Sequence, residues 1–432
     1  MTNHPTGEDN PPVTRRDFVK TSAAIAAGSI AAAHLTVARS AHAAGSDALN
    51  IGLIGCGGRG TGAAMNALEA SPRAHIVALA DVFQDRLDSS RKGLAGRGDR
   101  ARVADDRCYV GFDAYKELLD DGVDSVILAT PPHFRPIHVA AAVDAGCHVF
   151  MEKPVAVDPV GIRKVIAAGE VADRKGLSIV AGTQRRHEAR YLALMKHIQD
   201  GAIGDVVAAR CYWNQGGLWM NEPRPEWSDM EWQLRNWLYF TWLSGDHIVE
   251  QHVHNIDVVN WAIGAHPIRA LGLGGRQVRT DPDYGHIYDH FAIEFEYPNN
   301  IFALSMCRQI DGCDNRVHEV VHGTKGHATT ARGTVIAGQT AWRFEDDNPN
   351  PYVQEHRDLI ASISGEGKRY NEARQVAEST LCAIMGRMSC YTGKEVTWEH
   401  AINSRLDLSP PSYEFGDLPV PPVAMPGQMP LI

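Results

Sequence analysis

Apolar runs of strand length recur along the first third of the chain, at residues 49–54, 75–80, 124–130 and 148–151. Stretches with helical spacing lie between them, at 84–106, 109–121 and 137–145, the first of which also holds a loop. Alternation of strand and helix is typical of a parallel, doubly wound sheet, in which ligands bind beyond the carboxyl ends of the strands. We therefore predict an α/β domain of this kind over residues 49–170.

The pattern changes to alternating apolar and polar residues from position 268 onward. Residues 291–297 and 301–306 alternate on either side of a Pro298-Asn299-Asn300 turn, which predicts an antiparallel hairpin. Helices are predicted around this region, at 160–174, 189–199, 355–363 and 373–391, with a further strand at 177–183. We therefore predict a second, α+β domain over residues 171–400.

The last segment, residues 401–432, is rich in proline and shows no period. Such a composition predicts a tail that is disordered or that lies as an arm over a neighbouring subunit. We expect the chain to form a homo-oligomer.

A glycine cluster follows the first apolar run directly, as Gly55-Cys56-Gly57-Gly58-Arg59-Gly60. Its G-x-G-x-x-G spacing serves a Rossmann dinucleotide site: the first glycine makes a tight turn, the second admits the pyrophosphate and the third allows close packing. The phosphates then bind the free N–H groups at the N-terminus of the following helix. In a glycine-rich chain, an ordinary glycine turn is the alternative.

Polar residues occupy the ends of the other predicted strands. Asp81 ends the second strand. In a Rossmann domain, an acid at this position hydrogen-bonds the ribose of NAD and repels the extra phosphate of NADP. NAD is therefore the expected cofactor. A solvated surface aspartate is the alternative. The remaining cofactor contacts are predicted at the ends of the later strands, at Thr130, Pro131, His133, Glu152 and Lys153.

Composition limits the class of protein. The 432 residues are enough for two domains, and 44% hydrophobic with 22% charged residues is typical of a packed globular chain. A net charge of -10 argues against a nucleic-acid binder or a binder of anionic membranes. The eight cysteines form no C-x-x-C pair, and His252 and His254 would point to opposite faces of a helix, so no metal site is predicted.

The N-terminus has the pattern of an export signal. Arg15 and Arg16 precede an alanine-rich apolar run at 23–37, and Ala41-His42-Ala43 supplies small residues for cleavage. This predicts a twin-arginine signal peptide over residues 1–43, recognition by the twin-arginine export machinery and a periplasmic or otherwise exported protein. The run is too short for a stable membrane span, and an amphipathic anchor helix is the alternative.

Three segments together resemble the Gfo/Idh/MocA family, which contains glucose-fructose oxidoreductase and inositol dehydrogenase. They are Ala129-Thr130-Pro131-Pro132, Ala145-Gly146-Cys147-His148-Val149 and Glu152-Lys153-Pro154, and the resemblance extends over about residues 49–397. It implies a second domain built on an open, largely antiparallel sheet. It also implies that Lys153 lies beside the nicotinamide and the substrate hydroxyl, and that Glu152 helps to orient the nicotinamide. An exposed loop lysine is the alternative for Lys153.

The segment from Gly245 to Gly264 is predicted to be helical, with Glu250, His254 and Asp257 on one face. It resembles the D-x-x-x-H-x-x-D segment of the family, which implies that His254 is the acid/base and that Glu250, in the place of an aspartate, assists it. A histidine that titrates near neutrality can take the proton of an alcohol, and Asp257 could fix its tautomer. A buried structural histidine is the alternative.

Candidate substrate contacts lie in two places. Arg186 and His187 could face substrate hydroxyls or could equally bridge the domains. Aromatic faces suit sugar rings, and we nominate Trp213 and Trp219 for that contact, with the packing of an insertion or an oligomer contact as the alternative. These two belong to a group of six of the nine tryptophans: Trp213, Trp219, Trp227, Trp232, Trp237 and Trp242.

Taken together, the patterns predict an exported oxidoreductase that transfers hydride between a tightly bound NAD and a hydroxyl of a sugar or cyclitol. One alternative is a redox-neutral, NAD-dependent glycoside hydrolase similar to the alpha-N-acetylgalactosaminidases related to this family. The other is a non-catalytic sugar-binding protein on the same fold.

Overall fold

A computed structural model describes residues 48–331 and 333–432. The predicted signal peptide, residues 1–43, lies outside these residues. Within them, no helix combines the length and the apolar character that crossing a membrane requires.

The first half of the described chain forms a six-stranded sheet. All of its neighbouring strands pair in parallel, in the order β3-β2-β1-β4-β5-β6. The strands are β1 (Leu49–Ile54), β2 (Ala74–Asp81), β3 (Cys108–Val110), β4 (Ser125–Leu128), β5 (His148–Met151) and β6 (Ile179–Ala181). The helices are α1 (Gly58–Ala70), α2 (Gln84–Ala95), α3 (Ala114–Asp120), α4 (Arg135–Asp144) and α5 (Pro159–Lys175). The predicted doubly wound sheet is confirmed.

Two features of this sheet position the site. The strand order reverses at β1, whose neighbours are β2 and β4, so the loops after these three strands border one crevice. The sheet also extends beyond the predicted boundary at residue 170, because the fully buried β6 pairs with β5. The buried apolar run of β6 completes the parallel sheet instead of opening the second domain.

The second half forms a nine-stranded sheet in the order β14-β13-β12-β11-β7-β10-β9-β8-β15. Within this sheet, as far as the structure describes it, only β7 and β10 pair in parallel, so the expected open, largely antiparallel sheet is confirmed. Its strands are β7 (Val206–Gln215), β8 (Arg269–Gly275), β9 (His290–Tyr297), β10 (Ile301–Gln309), β11 (Arg316–Gly323), β12 (Gly326–Thr329), β13 (Val335–Gly338), β14 (Trp342–Arg343) and β15 (Val396–Thr397).

Helices cover one face of this sheet and fill the space between the two sheets. They are α6 (Ala189–Gln199), α7 (Asp229–Arg235), α8 (Thr241–Ser244), α9 (His247–Glu250), α10 (Val253–Ile263), α11 (Pro351–Ser364), α12 (Ala373–Thr392) and α13 (Trp398–Asn403). Helix α12 is buried along nearly its whole length, and one apolar core runs from the β4 and β5 side of the parallel sheet to β9. The two sheets are therefore packed around a continuous core.

The tail packs on its own chain, in contrast to the predicted disordered segment. The Leu408 amide donates to Asp158 (2.9 Å) and the Tyr288 hydroxyl donates to the carbonyl of Ala424 (2.9 Å). The tail thus bonds to both domains of its own chain, and the alternative of an arm over a neighbouring subunit stays a prediction.

Candidate active site

The glycine turn has the backbone that its spacing predicted. Gly55 has φ of +101°, and a Cβ added there would lie 2.5 Å from the amide nitrogen of Thr130. A Cβ on Gly60 would lie 1.8 Å from the carbonyl oxygen of Gly55. Both positions therefore require glycine, the first for the turn and the second for the close approach of α1 to β1.

Gly57 and Gly58 serve a different purpose, since a Cβ on either would meet no described atom within 4 Å. Gly57 is the N-cap of α1, and no side chain caps this helix end. The first amide groups of the helix thus face open space, as a pyrophosphate requires. The turn fits a dinucleotide.

A cavity of about 500 Å³ opens in front of this turn. The turn, the ends of β2 and β4, and an aromatic segment from the second half of the chain enclose it. Gly55, Gly57, Gly58, Arg59, Asp81, Thr130 and Pro131 line it, as predicted for cofactor contacts, and so do Phe134, His138, Arg235 and Trp237, which sequence reasoning missed.

Asp81 hydrogen-bonds the backbone of the glycine turn. Its carboxylate accepts hydrogen bonds from the amides of Cys56 (2.6 Å) and Phe83 (2.9 Å) while facing the cavity. Burial raises its pKa, against the effect of these two backbone hydrogen bonds. Each carboxylate oxygen can accept a further bond, so both can receive ribose hydroxyls.

His133 does not line this cavity. It is buried, its Nε2 lies 2.8 Å from the hydroxyl of Tyr413, and burial lowers its pKa to about 4. The His133 side chain thus supports the tail, and its predicted contact with the cofactor stays a prediction. Its contact with Tyr413 could not be predicted locally, because the partner lies 280 positions away.

Glu152 is engaged by the glycine turn itself. Its Oε1 accepts from Arg59 Nε (2.5 Å), and Arg59 also pairs with the buried Glu355 (3.2 Å). Arg135, a fully buried residue that sequence reasoning missed, donates to the carbonyls of Glu152 (2.9 Å) and Thr130 (2.7 Å). These bonds fix the ends of β4 and β5 relative to the turn.

Lys153 and Glu250 meet across the two halves of the chain. The Lys153 ammonium donates to the carbonyl of Glu250 (2.7 Å) and to its Oε1 (3.1 Å), and both side chains are largely buried. An ammonium has three N–H donors, so one remains for a further acceptor. The Glu250 carboxylate, in the place of the aspartate of the family segment, therefore pairs with Lys153.

His254 lies near this pair at the start of α10. It is 7% exposed, its ring stacks on Trp213 (centroids 5.8 Å apart, planes at 25°), and its ring nitrogens hydrogen-bond to none of the residues described. Burial, and next the positive charge of Lys153, lower its pKa well below the ordinary value. The imidazole is thus neutral near pH 7 and can accept a proton.

The helix that carries His254 is interrupted, whereas a continuous helix was predicted. Helix α9 ends at Glu250 and α10 begins at Val253. The two residues between them are drawn to β10, since Gln309 donates to Gln251 (2.8 Å) and His252 Nε2 lies 2.8 Å from Ser305 Oγ. These long-range bonds replace the regular helical register.

Asp257 does not orient His254. Its carboxylate binds Arg186 through two bonds of 2.9 Å and also accepts from Gln375 (2.5 Å) and Ser379 (2.7 Å). A bidentate guanidinium pair is stronger than a neutral hydrogen bond to imidazole, so Arg186 takes this carboxylate. The tautomer role predicted for Asp257 is corrected to a partnership with Arg186.

Arg186 and His187 serve the packing between elements. Arg186 also lies over Trp261, and the buried His187 lies between Asp358 (2.6 Å) and Glu372 (3.4 Å). Burial lowers the pKa of His187, but these two acids outweigh it and raise the pKa to about 10. Arg186 and His187 thus bridge parts of the fold, which was the alternative to a contact with substrate.

The tryptophans divide between two places. Trp213 packs on His254 and under Arg185, near the Lys153–Glu250 pair, whereas Trp219 is half exposed and lines the cavity beside Trp237. Trp219 therefore borders the predicted cofactor site and not His254. Trp242 is buried against His133, and Trp232 packs edge-on against Phe240.

No cluster of His, Cys, Asp and Glu that could hold a metal ion occurs in residues 48–331 and 333–432. All eight cysteines are free, and six of them are buried.

Two family models match the chain. One, described as an oxidoreductase family with an NAD-binding Rossmann fold, matches residues 49–181, and the other, the GFO/IDH/MocA C-terminal domain, matches residues 191–329. The expected NAD-binding Rossmann domain is thus confirmed.

Two curated proteins of similar sequence match about half of this chain. Over 224 residues the chain is 27% identical to 2,7-anhydro-N-acetylneuraminate hydratase of Escherichia coli (50% of this chain, 55% of that protein). Over 222 residues it is 27% identical to inositol 2-dehydrogenase 1 of Saccharopolyspora erythraea (51% and 56%). The chain thus spans about half the length of these curated relatives.

A solved structure of levoglucosan dehydrogenase in complex with NADH and levoglucosan has the same fold. It superimposes with a TM-score of 0.63 at 17% identity and covers 81% of this chain and 99% of its own.

Proposed function

Since this chain belongs to the Gfo/Idh/MocA family of oxidoreductases, we propose that it transfers hydride between a bound NAD and a hydroxyl of a sugar or cyclitol. One observation carries the proposal: Lys153 bonds Glu250 across the two halves of the chain, while its neighbour Glu152 pairs with Arg59 of the glycine turn. Burial lowers the pKa of the His254 ring, and the positive charges of Lys153 and Arg59 both act on it in the same direction. An ammonium can stabilise the alkoxide that develops when an alcohol is oxidised, and a neutral imidazole can take the hydroxyl proton.

The chemistry follows from the partners of each group. When bound, a nicotinamide cofactor supplies the acceptor for the hydrogen that leaves the carbinol carbon. The remaining N–H of Lys153 can donate to the substrate oxygen and stabilise the alkoxide as charge develops. The ring of His254 takes the hydroxyl proton, and stacking on Trp213 fixes its orientation.

We propose NAD rather than NADP as the preferred cofactor because the Asp81 carboxylate faces the cavity at the end of β2. Titration calorimetry with both cofactors tests this. Tighter binding of NADP than of NAD by the wild-type protein would contradict the assignment.

A neutral His254 has a consequence for the pH profile. Because its pKa lies well below 6.5, kcat/KM for alcohol oxidation should stay level from pH 8 down through pH 6.5 and fall only at lower pH, where the imidazole becomes protonated. The profile is measured with a polyol that reduces the bound cofactor. The prediction would be contradicted if kcat/KM fell on acidification with a midpoint at or above pH 6.5 and this fall were absent in His254→Asn.

A redox-neutral glycoside hydrolase is the second candidate, in which transient oxidation of a hydroxyl lets the aglycone be eliminated. The similarity to a protein named a hydratase favours it, since hydration involves no net oxidation. Incubating the protein with aryl glycosides and with free sugars separates the two. Aglycone release without net NADH supports hydrolysis, and NADH formation from free sugars supports dehydrogenation.

We also propose export through the twin-arginine pathway, supported by Arg15 and Arg16 before the apolar run. A periplasm offers no obvious supply of free NAD, so a cofactor bound before export would be recycled in place. Cell fractionation of the wild-type chain and of the Arg15→Lys, Arg16→Lys variant tests this. Equal amounts of both in the periplasm would refute it.

We propose that a second copy of the chain covers the outer face of the nine-stranded sheet. The two strands on either side of β9, β8 and β10, present exposed apolar residues there: Leu271, Leu273, Phe302, Leu304 and Met306. Arg269 and Glu296 pair on the same face, so it carries both signs of charge, which is compatible with contact between two copies of this face.

Leu273, which is 80% exposed, tests this face. Leu273→Arg is expected to reduce the particle to one chain in light scattering after gel filtration, because the charge would be buried unpaired. Leu192→Arg, at an exposed leucine on α6, is the matched control. A wild-type particle of one chain, or an unchanged mass for Leu273→Arg, would refute the interface.

A further inference from the structure

The segment between β7 and α8, residues 216–240, closes one side of the cavity in front of the glycine turn. We call it the insert. Trp219, Asn221, Leu234, Arg235 and Trp237 contribute to the cavity wall, opposite the ends of β2 and β4. The insert therefore faces the half of the cavity where Asp81 lies, which in a Rossmann domain receives the adenosine half of a dinucleotide.

Arg235 attaches the insert to the parallel sheet. Its guanidinium makes two hydrogen bonds of 3.1 Å to Asp85, just after β2, and lies 4.0 Å from the centre of the Phe83 ring. On its own segment it pairs with Glu231 (2.9 Å) and lies 5.1 Å from the ring of Trp227. Arginine suits this position because its planar head can stack and form paired bonds at the same time.

The tail also contacts the insert, and it contacts Phe83 as well. The amide of Met230 donates to the carbonyl of Gly416 (3.1 Å), and Gln233 donates to the carbonyl of Leu418 (2.6 Å). The ring of Phe415 stacks on Phe83 (centroids 5.8 Å apart), the ring that Arg235 covers. Phe83 is thus contacted by both the insert and the tail.

We propose that the insert and tail residues 413–418 form a latch over the adenosine half of a bound dinucleotide, and that Arg235 holds this latch closed. This rests on the proposed function, which places the dinucleotide in the cavity. Exit of the adenosine half would require Trp219 and Trp237 to move away from the wall, which the contacts of Arg235 with Asp85 and Phe83 oppose. The latch would slow dissociation of the cofactor, the rate on which affinity chiefly depends.

The test measures release of NADH from the full chain. The protein is loaded with NADH, excess NAD is added, and the loss of NADH fluorescence excited through tryptophan is followed in time. We expect Arg235→Gln to accelerate release about tenfold or more. Asp85→Asn should give a similar acceleration, and the double variant should add little, because both changes break one contact.

The matched control is Arg374→Gln, an exposed arginine on α12 that pairs with Glu170 away from the cavity. It should release NADH at the wild-type rate. If Arg235→Gln melts at a lower temperature, Asp85→Asn decides, since the Asp85 side chain is mostly exposed.

Release rates of Arg235→Gln and Asp85→Asn within twofold of wild type would overturn the latch while leaving NAD binding intact. A wild-type protein that binds neither NADH nor NADPH would overturn the proposed function together with the latch. The two failures are therefore distinguishable.

Discussion

Lys153→Met is expected to lower kcat/KM for alcohol oxidation by about 10²–10³-fold, the usual cost of removing one donor that stabilises a developing oxyanion. Methionine keeps an unbranched apolar side chain that reaches as far as Cε and removes only the charged ammonium. Glu250 accepts hydrogen bonds from two of the three N–H groups of Lys153. The third N–H is the one left to stabilise the alkoxide, and the variant removes it. Cofactor reduction with an active polyol measures the effect, and affinity for NAD should stay near the wild-type value.

The partner of Lys153 provides the control. Removing the ammonium alone leaves the Glu250 carboxylate, whose side chain is 13% exposed, without its cation. The double variant Lys153→Met, Glu250→Gln should therefore recover thermal stability without recovering activity. If the double variant instead recovered activity, or if Lys153→Met retained activity within tenfold of wild type, the role of Lys153 would be wrong.

Gly57→Val is expected to weaken NAD binding by at least ~100-fold while leaving the melting temperature nearly unchanged. A valine fits the protein alone, because a Cβ there meets no described atom within 4 Å and the backbone is extended (φ -68°, ψ -177°). The added methyl groups would instead occupy the space in front of the first amides of α1, where the pyrophosphate binds. Calorimetric titration with NAD and thermal melting measure the two effects separately.

Gly60→Ala is the contrasting variant at the same turn. Its Cβ would clash with the carbonyl of Gly55 at 1.8 Å, so we expect it to cost about 1–3 kcal/mol of stability as well as NAD affinity. Wild-type NAD affinity in Gly57→Val would show that the cofactor does not approach this turn.

The features predicted from the sequence were those that local pattern determines. Gly55 and Gly60 could be identified because a turn between a strand and a helix requires glycine at this spacing, and the parallel sheet followed from the alternation of elements. The proximity of Lys153 and His254 came from the resemblance, since Lys153 follows β5, whereas His254 lies on α10, 101 positions later (254 minus 153).

The residues that were misassigned are those whose partners are distant in sequence. Helical spacing places Asp257 near His254. It cannot indicate Arg186, which lies 71 positions earlier and binds the Asp257 carboxylate through two charged hydrogen bonds. His187 finds its acid partner 171 positions later. Arg235 gave no signal either, because Asp85 lies 150 positions before it. Ion pairs of this kind depend on the finished fold.

The most direct measurement is a crystal structure of the protein with NAD bound. We expect a pyrophosphate on the amides of Gly58 and Arg59, and a nicotinamide ring whose C4 faces a space bordered by Lys153 Nζ and the ring of His254. A dinucleotide bound outside the cavity, or a nicotinamide separated from those two side chains by other residues, would contradict this expectation.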